Sequence, residues 1–353
     1  MNIKIIGSGS YIPEVKVANQ DFNKHIFLNE DGTAFGHTND VVIDKFKMIT
    51  GIEERRYVED HLTTSDIAFI AAQKAIECAQ IDPETIDYII LAHNFGDVQH
   101  GTIQSDMIPS LASRVKHKLR IKNPQCVAYD ILFGCPGWIE GMLQASAYIK
   151  SGMAKRCLVI GAETLSRVVD MHDRDSMIYS DGAGASVVEL TTNDQEGLLA
   201  YENATFSYDE AYFLYFGNSF NKDLHPDTRY IKMAGRKIYE FALNEVPKAM
   251  KSSLDKSGIA IDKVKKILIH QANEKMDEAI IDRFYKLHGQ KAPKDIMPMS
   301  IHKLGNSSVA TVPTLFDLLT KGKIENQHLN KGDVIIFASV GAGMNINAFV
   351  YRY

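Results

Sequence analysis

Residues 64–94, TSDIAFIAAQKAIECAQIDPETIDYIILAHN, read as an amphipathic helix, a short polar turn and an apolar strand. Residues 235–273, GRKIYEFALNEVPKAMKSSLDKSGIAIDKVKKILIHQAN, read in the same order, and both strands end in histidine, His93 and His270. The following units match as well. Residues 134–163 give a turn, a helix, a glycine stop and a strand, and residues 305–343 give that order again. The paired positions His93 and His270, Cys135 and Asn306, and Gly161 and Gly341 are 177, 171 and 180 residues apart, each close to half of a 353-residue chain. A duplicated α/β chain is therefore predicted, its halves packed about a pseudo-twofold axis with two matching helix starts face to face.

Composition narrows the function. At 45% hydrophobic and 24% charged residues the chain can bury a large core. The net charge of −5 and the lack of a dense Lys/Arg block argue against a nucleic-acid or polybasic membrane surface. No apolar run approaches the roughly 20 residues of a membrane helix, and MNIKIIGSGSYIPE does not read as a signal peptide. The four cysteines, Cys78, Cys126, Cys135 and Cys157, form no CxxC and no framework spacing. A cytoplasmic, reduced protein without disulfides is expected.

One cysteine stands apart. In DILFGCPGWIEGM, Cys135 follows an apolar strand and precedes an amphipathic run through Trp138, Ile139, Met142, Leu143, Ala145, Ala147 and Ile149. Pro136 suits a first helical turn and Gly152 suits the stop. A thiol at a helix N-terminus meets unpaired amides and the helix dipole, which favour thiolate, so a lowered pKa and a nucleophilic role are expected. The competing reading is a small buried hydrophobe. That reading is taken for Cys78, Cys126 and Cys157.

KILIHQAN places His270 just past a strand, before the helix EKMDEAIIDRFYKL, at the strand end where open α/β sheets bind ligands. Asn273 follows, and KLGNSSVATVP puts Asn306 at the next helix start. Helix capping alone explains either asparagine, and a hydrogen-bonded structural role explains His270. His93, at the equivalent strand end of the first half, has no partner motif around it and is not read as catalytic.

Taken together, these segments resemble 3-oxoacyl-[acyl-carrier-protein] synthase III, the initiating ketosynthase of the thiolase superfamily. The likeness runs nearly end to end: KIIGSGSYIPE, TGIEERR, GCPG at Cys135, SDGAGAS, MAGRKIYEFA, HQAN at 270–273, GNSS at 305–308 and VGAGMNINAFVYRY. It implies a duplicated, five-layered αβαβα thiolase fold, usually a homodimer. One half, 1–190, would carry the nucleophile, and the other, 191–353, the histidine and asparagine. It implies a catalytic set of Cys135, His270 and Asn306, and an oxyanion hole of the Cys135 and Gly343 amides. Gly235, Tyr239, Ala272 and Asn273 are expected along a pantetheine tunnel, and Arg174 near the nucleotide of CoA. The expected substrates are an acyl-CoA or acyl-ACP primer and malonyl-ACP, with no metal and no other cofactor. Acyl carrier protein is the expected partner, and Arg236, Lys237 and Lys275 are its candidate contacts; for each the alternative is a solvated face. Asp181, Gly182 and Gly184 read as structural, since GAG is too short for a dinucleotide fingerprint.

The chain also departs from the family. Lys45 stands where a tryptophan usually stacks on the CoA adenine, which favours an acyl-carrier-protein donor. The segments 25–40 and 94–115 are longer than usual, and Ile108 takes the place of a larger aromatic that closes the partner's acyl pocket, which suits a primer longer than acetyl. Trp138 is read as core in preference to pocket. Three rival functions are weighed: a thiolase-fold acyltransferase or secondary-metabolite ketosynthase using the same cysteine, a papain-like hydrolase, and a non-catalytic partner subunit. The hydrolase lacks its C-G-S-C-W signature here, and partner subunits usually lose the nucleophile.

Overall fold

The computed structural model describes residues 2–353. Nine strands form two sheets. The first sheet holds β1 (Asn2–Tyr11), β2 (Tyr88–His93), β3 (Val127–Leu132), β4 (Arg156–Thr164) and β5 (Asp181–Thr191), in the order β1-β5-β4-β2-β3. The second holds β6 (Gly197–Thr205), β7 (Val264–Ile269), β8 (Val334–Gly341) and β9 (Asn345–Arg352), in the order β6-β9-β8-β7. In each sheet the first strand lies antiparallel to the last, and the last antiparallel to the one before it. β2 and β4 are parallel, as are β7 and β8. The correspondence is β1 with β6, β2 with β7, β4 with β8 and β5 with β9. β3 has no counterpart: beside β7 runs a segment without strand assignment, joined by the Ile267 amide to the Ile296 carbonyl at 2.8 Å.

The helices are α1 (Asn39–Thr50), α2 (Thr64–Ala79), α3 (Leu111–Lys118), α4 (Gly137–Lys150), α5 (Gly235–Ser257), α6 (Glu274–Lys286), α7 (Ile301–Leu304) and α8 (Thr311–Thr320). α4 and α8 fill the space between the sheets. Trp138, Ile139 and Met142 of α4 and Leu315 and Phe316 of α8 share one cluster with Ile90, Val159, Phe337 and Phe349 of the strands. α2 and α3 cover the outer face of the first sheet, where Ala68, Ala71, Ala72 and Ala75 let α2 lie close. α5 and α6 cover the outer face of the second. The layers are thus helix, sheet, helix, sheet, helix, as the resemblance implies. The predicted helix–strand pairs 64–94, 134–163, 235–273 and 305–343 are present as α2/β2, α4/β4, α5/β7 and α8/β8.

Trp138 is fully buried against Phe337 and Phe349 and is not among the residues that line the cavity at Cys135, so it is core. Truncating it to alanine removes a large apolar volume between the sheets, a loss of about 3–5 kcal/mol. Cys126 and Cys157 are buried as expected, but Cys78 is exposed, because it lies in the last turn of α2, at the edge of the face that carries the alanines.

Candidate active site

Cys135 lies between β3 and α4, one residue before Pro136, which precedes the first helical residue Gly137. The turn is tight: the Gly137 amide donates to the Gly134 carbonyl at 3.0 Å. The end of β8 packs directly behind it. A Cβ on Gly341 would stand 2.5 Å from the Cys135 nitrogen, and one on Gly134 would stand 2.7 Å from the Ala342 nitrogen, so these positions admit no side chain. The two halves therefore meet backbone to backbone at the nucleophile. The Cys135 backbone N–H makes no hydrogen bond within the described residues, which leaves it free for a ligand.

His270 follows β7 and is held in register by its amide, which donates to Ala338 of β8 at 2.9 Å. It is buried, its Nδ1 has no partner, and burial lowers its pKa to about 4, so the imidazole is neutral. Asn306 does not start a helix, contrary to the expectation. Gly305 and Ser308 both have positive φ, 61° and 51°, and these kinks separate Asn306 from α8, leaving it in an extended bridge to Tyr179. Its backbone exchanges hydrogen bonds with Ile178 and Ser180 at 3.0 and 2.8 Å. Its side-chain oxygen accepts the Ser308 amide at 2.7 Å, which turns the NH2 group away as a free donor.

Cys135, His270 and Asn306 line one cavity of about 890 Å³. Gly235, Tyr239, Ala272, Asn273 and Arg174 line it too. Asn273 combines both readings, since its side chain caps α6 by accepting the Met276 amide at 3.1 Å while it borders the cavity. Gly343 does not line the cavity, whereas Gly341 and Ala342 do. Gly343, at φ 75°, is the kink that sends the chain back into β9. Arg236 borders the mouth, while Lys237 and Lys275 do not. Asp181 is structural: its carboxylate takes Ser166 and Val58 amides and the Ser166 hydroxyl.

The expected acidic thiol is not found. Burial pushes the Cys135 thiol up to about 11, and the two donors that oppose this, the Ser308 hydroxyl at 3.3 Å and the cysteine's own backbone amide, do not overcome it. A helix start lowers a thiol pKa by its unpaired amides, and here burial outweighs that effect although the Cys135 side of the turn still faces the cavity. Ser308 and Asn94, whose amide donates to Ser308 Oγ at 3.1 Å, touch the nucleophile's surroundings and were passed over in the sequence. The available signals were the serine of GNSS and the position of Asn94 after His93 at a strand end. The long segment 25–40 is also explained. Leu28, Asn29, Glu30, Phe35 and His37 wall the cavity mouth with Lys45, and Phe35 lies 4.9 Å under the Arg174 guanidinium. Among the described residues no three His, Cys, Asp or Glu side chains converge to hold a metal ion, and no helix is long and apolar enough to cross a membrane.

Comparison with known proteins agrees with this architecture. Residues 129–205 match the family described as 3-Oxoacyl-[acyl-carrier-protein (ACP)] synthase III, and residues 254–353 match its C-terminal counterpart. A beta-ketoacyl-[acyl-carrier-protein] synthase III of Halalkalibacterium halodurans is 32% identical, with 99% of this chain and 98% of that protein covered. One of Staphylococcus haemolyticus is 31% identical, covering 100% of this chain and 99% of that protein. The crystal structure of 3-oxoacyl-[acyl-carrier-protein] synthase III from Aquifex aeolicus superposes with a TM-score of 0.80 at 30% identity, over 99% of this chain and 100% of the other. With the duplicated fold, one cavity bordered by the thiol, imidazole and amide, and full-length relatives above 30% identity, the chain belongs to the 3-oxoacyl-[acyl-carrier-protein] synthase III family of ketosynthases.

Proposed function

We propose that this protein condenses an acyl thioester primer with malonyl-acyl carrier protein, with loss of carbon dioxide, through an acyl-Cys135 intermediate. The observation that carries this reading is the convergence of Cys135, His270 and Asn306 on one cavity. In the first half-reaction the Cys135 sulfur attacks the primer carbonyl. A carbon–sulfur bond forms, the carrier's carbon–sulfur bond breaks, and the thiol proton leaves with the carrier thiol. The Cys135 amide and a neighbouring amide of the 341–342 turn suit the transient oxyanion, in preference to Gly343. In the second, the malonyl carboxylate leaves as carbon dioxide and charge builds on the thioester oxygen. A neutral His270 N–H and the Asn306 NH2 group can both donate to it there. The enolate carbon then attacks acyl-Cys135, forming the carbon–carbon bond and releasing the thiolate, which regains a proton. Each step uses leaving groups and hydrogen-bond donors, so the proposal includes no metal or redox cofactor.

The packing of Phe35 against Arg174 supports an acyl-carrier-protein donor, because it occupies a guanidinium face that a nucleotide base would otherwise stack on. The exposed edge strand β3, with Val127 and Leu132 uncovered, supports a homodimer formed across that edge. The test is intact-protein mass spectrometry with short to long acyl-CoA and acyl-carrier-protein thioesters, followed by a malonyl-carrier-protein chase. An adduct on Cys135 that discharges into a 3-oxoacyl product is expected. An adduct that survives the chase but passes to water or an amine would move the protein to the acyltransferases, and a Cys135→Ala variant that still takes up acyl groups would remove Cys135 from the mechanism.

A further inference from the structure

Glu163 lies near the end of β4, 1% exposed, on the far side of Asn94 from the cavity. Its Oε1 accepts the Asn94 backbone N–H at 2.5 Å, and its Oε2 has no partner. Asn94 in turn donates its side-chain amide to Ser308 Oγ at 3.1 Å, and Ser308 donates its hydroxyl to the Cys135 sulfur at 3.3 Å. The same serine's backbone N–H holds the Asn306 oxygen at 2.7 Å, so one residue touches both the proposed nucleophile and a proposed enolate donor. Ser308 does this at φ 51°, an unfavourable conformation for a residue with a side chain and one that must be held by its surroundings. A hydroxyl has one proton. Once Asn94 occupies an acceptor lobe of Oγ, the proton is left to point at the sulfur.

The other ionisable groups facing Glu163 are His93 on β2, Asp181 on β5 and Cys135 itself. His93 is committed, since its Nδ1 accepts the Gly96 amide at 3.0 Å and its Nε2 lies 3.1 Å from Asp130. Asp181 is committed to Ser166 and Val58. Glu163 is the member of this group with an oxygen left unpaired.

We propose that Glu163 is a positioning residue for Cys135: it anchors Asn94, Asn94 orients the Ser308 hydroxyl, and the charge on Glu163 sets how readily the thiol ionises. The inference rests on Cys135 being the nucleophile. Burial raises the Glu163 carboxyl to about 7, so its charge changes near neutral pH, and the ionised form holds the proton on the thiol.

Alkylation of Cys135 by iodoacetamide, followed by mass spectrometry of its peptide from pH 6 to 9.5, reads the thiol without a carrier substrate. Loss of condensation therefore leaves this test standing, and a failure here leaves condensation untouched. In the wild-type protein the rate should rise with pH, flatten near pH 7 as Glu163 ionises, and rise again. Glu163→Gln keeps an oxygen for Asn94 but cannot ionise. Its profile should lose the flattening and run about three- to tenfold faster at pH 8. Ser308→Ala keeps the amide to Asn306 but loses the hydroxyl, and should alkylate about tenfold more slowly. A Glu163→Gln profile that overlays the wild type, or wild-type rates in Ser308→Ala, would overturn the proposal. If Glu163→Gln does not fold, Asn94→Ala decides, with several-fold slower alkylation expected and the wild-type rate counting against it.

Discussion

His93 and His270 stand at the carboxyl ends of β2 and β7, equivalent strands of the two sheets. Their surroundings differ. Beside β2 runs β3, which brings Asp130 to His93 while the carboxylate also holds the first amides of α3 at 2.7 Å. Both ring nitrogens of His93 are thereby engaged. On the edge of β7 that corresponds to β3 there is no strand, only the stretch 296–300, whose Pro298 carbonyl and Ser300 amide are taken by Gln271. His270 has an unpartnered Nδ1 and lines the cavity. One duplicated position thus became a structural tie in one half and a free donor in the other, and the absent strand is what separates them.

The comparison can be broken most directly by His270→Ala. It should reduce condensation by about 10²–10³-fold while acylation of Cys135, followed as adduct mass, stays within a few-fold of wild type. Equal loss in both half-reactions would deny His270 a role specific to the enolate. The pH dependence of stability comes next. Unfolded histidine takes up a proton below 6.5, whereas buried His270 does so only near about 4, so the unfolded state binds more protons between those values. Stability should therefore fall as pH drops from 6.5 to 4, by roughly 3 kcal/mol from this residue. Urea melts of the wild type and His270→Gln across that range should differ by this amount, and parallel curves would mean His270 is not held neutral.

His93→Ala should cost about 1–3 kcal/mol, because it leaves the Gly96 amide without its acceptor and takes one of three partners from the Asp130 carboxylate. Folded protein should still acylate and condense within a few-fold, read by melting and by kinetics; lost condensation with an unchanged melt would erase the distinction between the histidines. The smallest effect is expected at the cavity rim. Arg236 is exposed and paired only with Glu240 on its own helix. Arg236→Glu should raise the KM for carrier-protein substrates a few-fold at low salt and leave CoA substrates unmoved; equal effects on both would remove it from the carrier surface.

Much of this architecture is legible in the chain. The helix–strand order, the Gly-Cys-Pro-Gly turn and the HQAN and GNSS segments are local patterns, and local patterns follow from backbone preference and hydrophobic period. The helix start expected at Asn306 is absent because capping chemistry and a kinked bridge both begin with Gly-Asn, and only the contact with Ile178 and Ser180 separates them. VGAG offers three adjacent small residues, and the strand end at Gly341 decides that Gly341 and Ala342 line the cavity while Gly343 does not.

The sequence by itself determined a duplicated α/β chain with a cysteine at one helix approach and a histidine and asparagine in the corresponding half. Tertiary structure decided which histidine is free and which donors and charges surround the thiol. The physical reason is distance along the chain. Asn94 and Ser308 are 214 residues apart, and Ser308 and Cys135 are 173 apart. No local pattern encodes a contact or a dielectric that exists only after the two sheets close around α4 and α8.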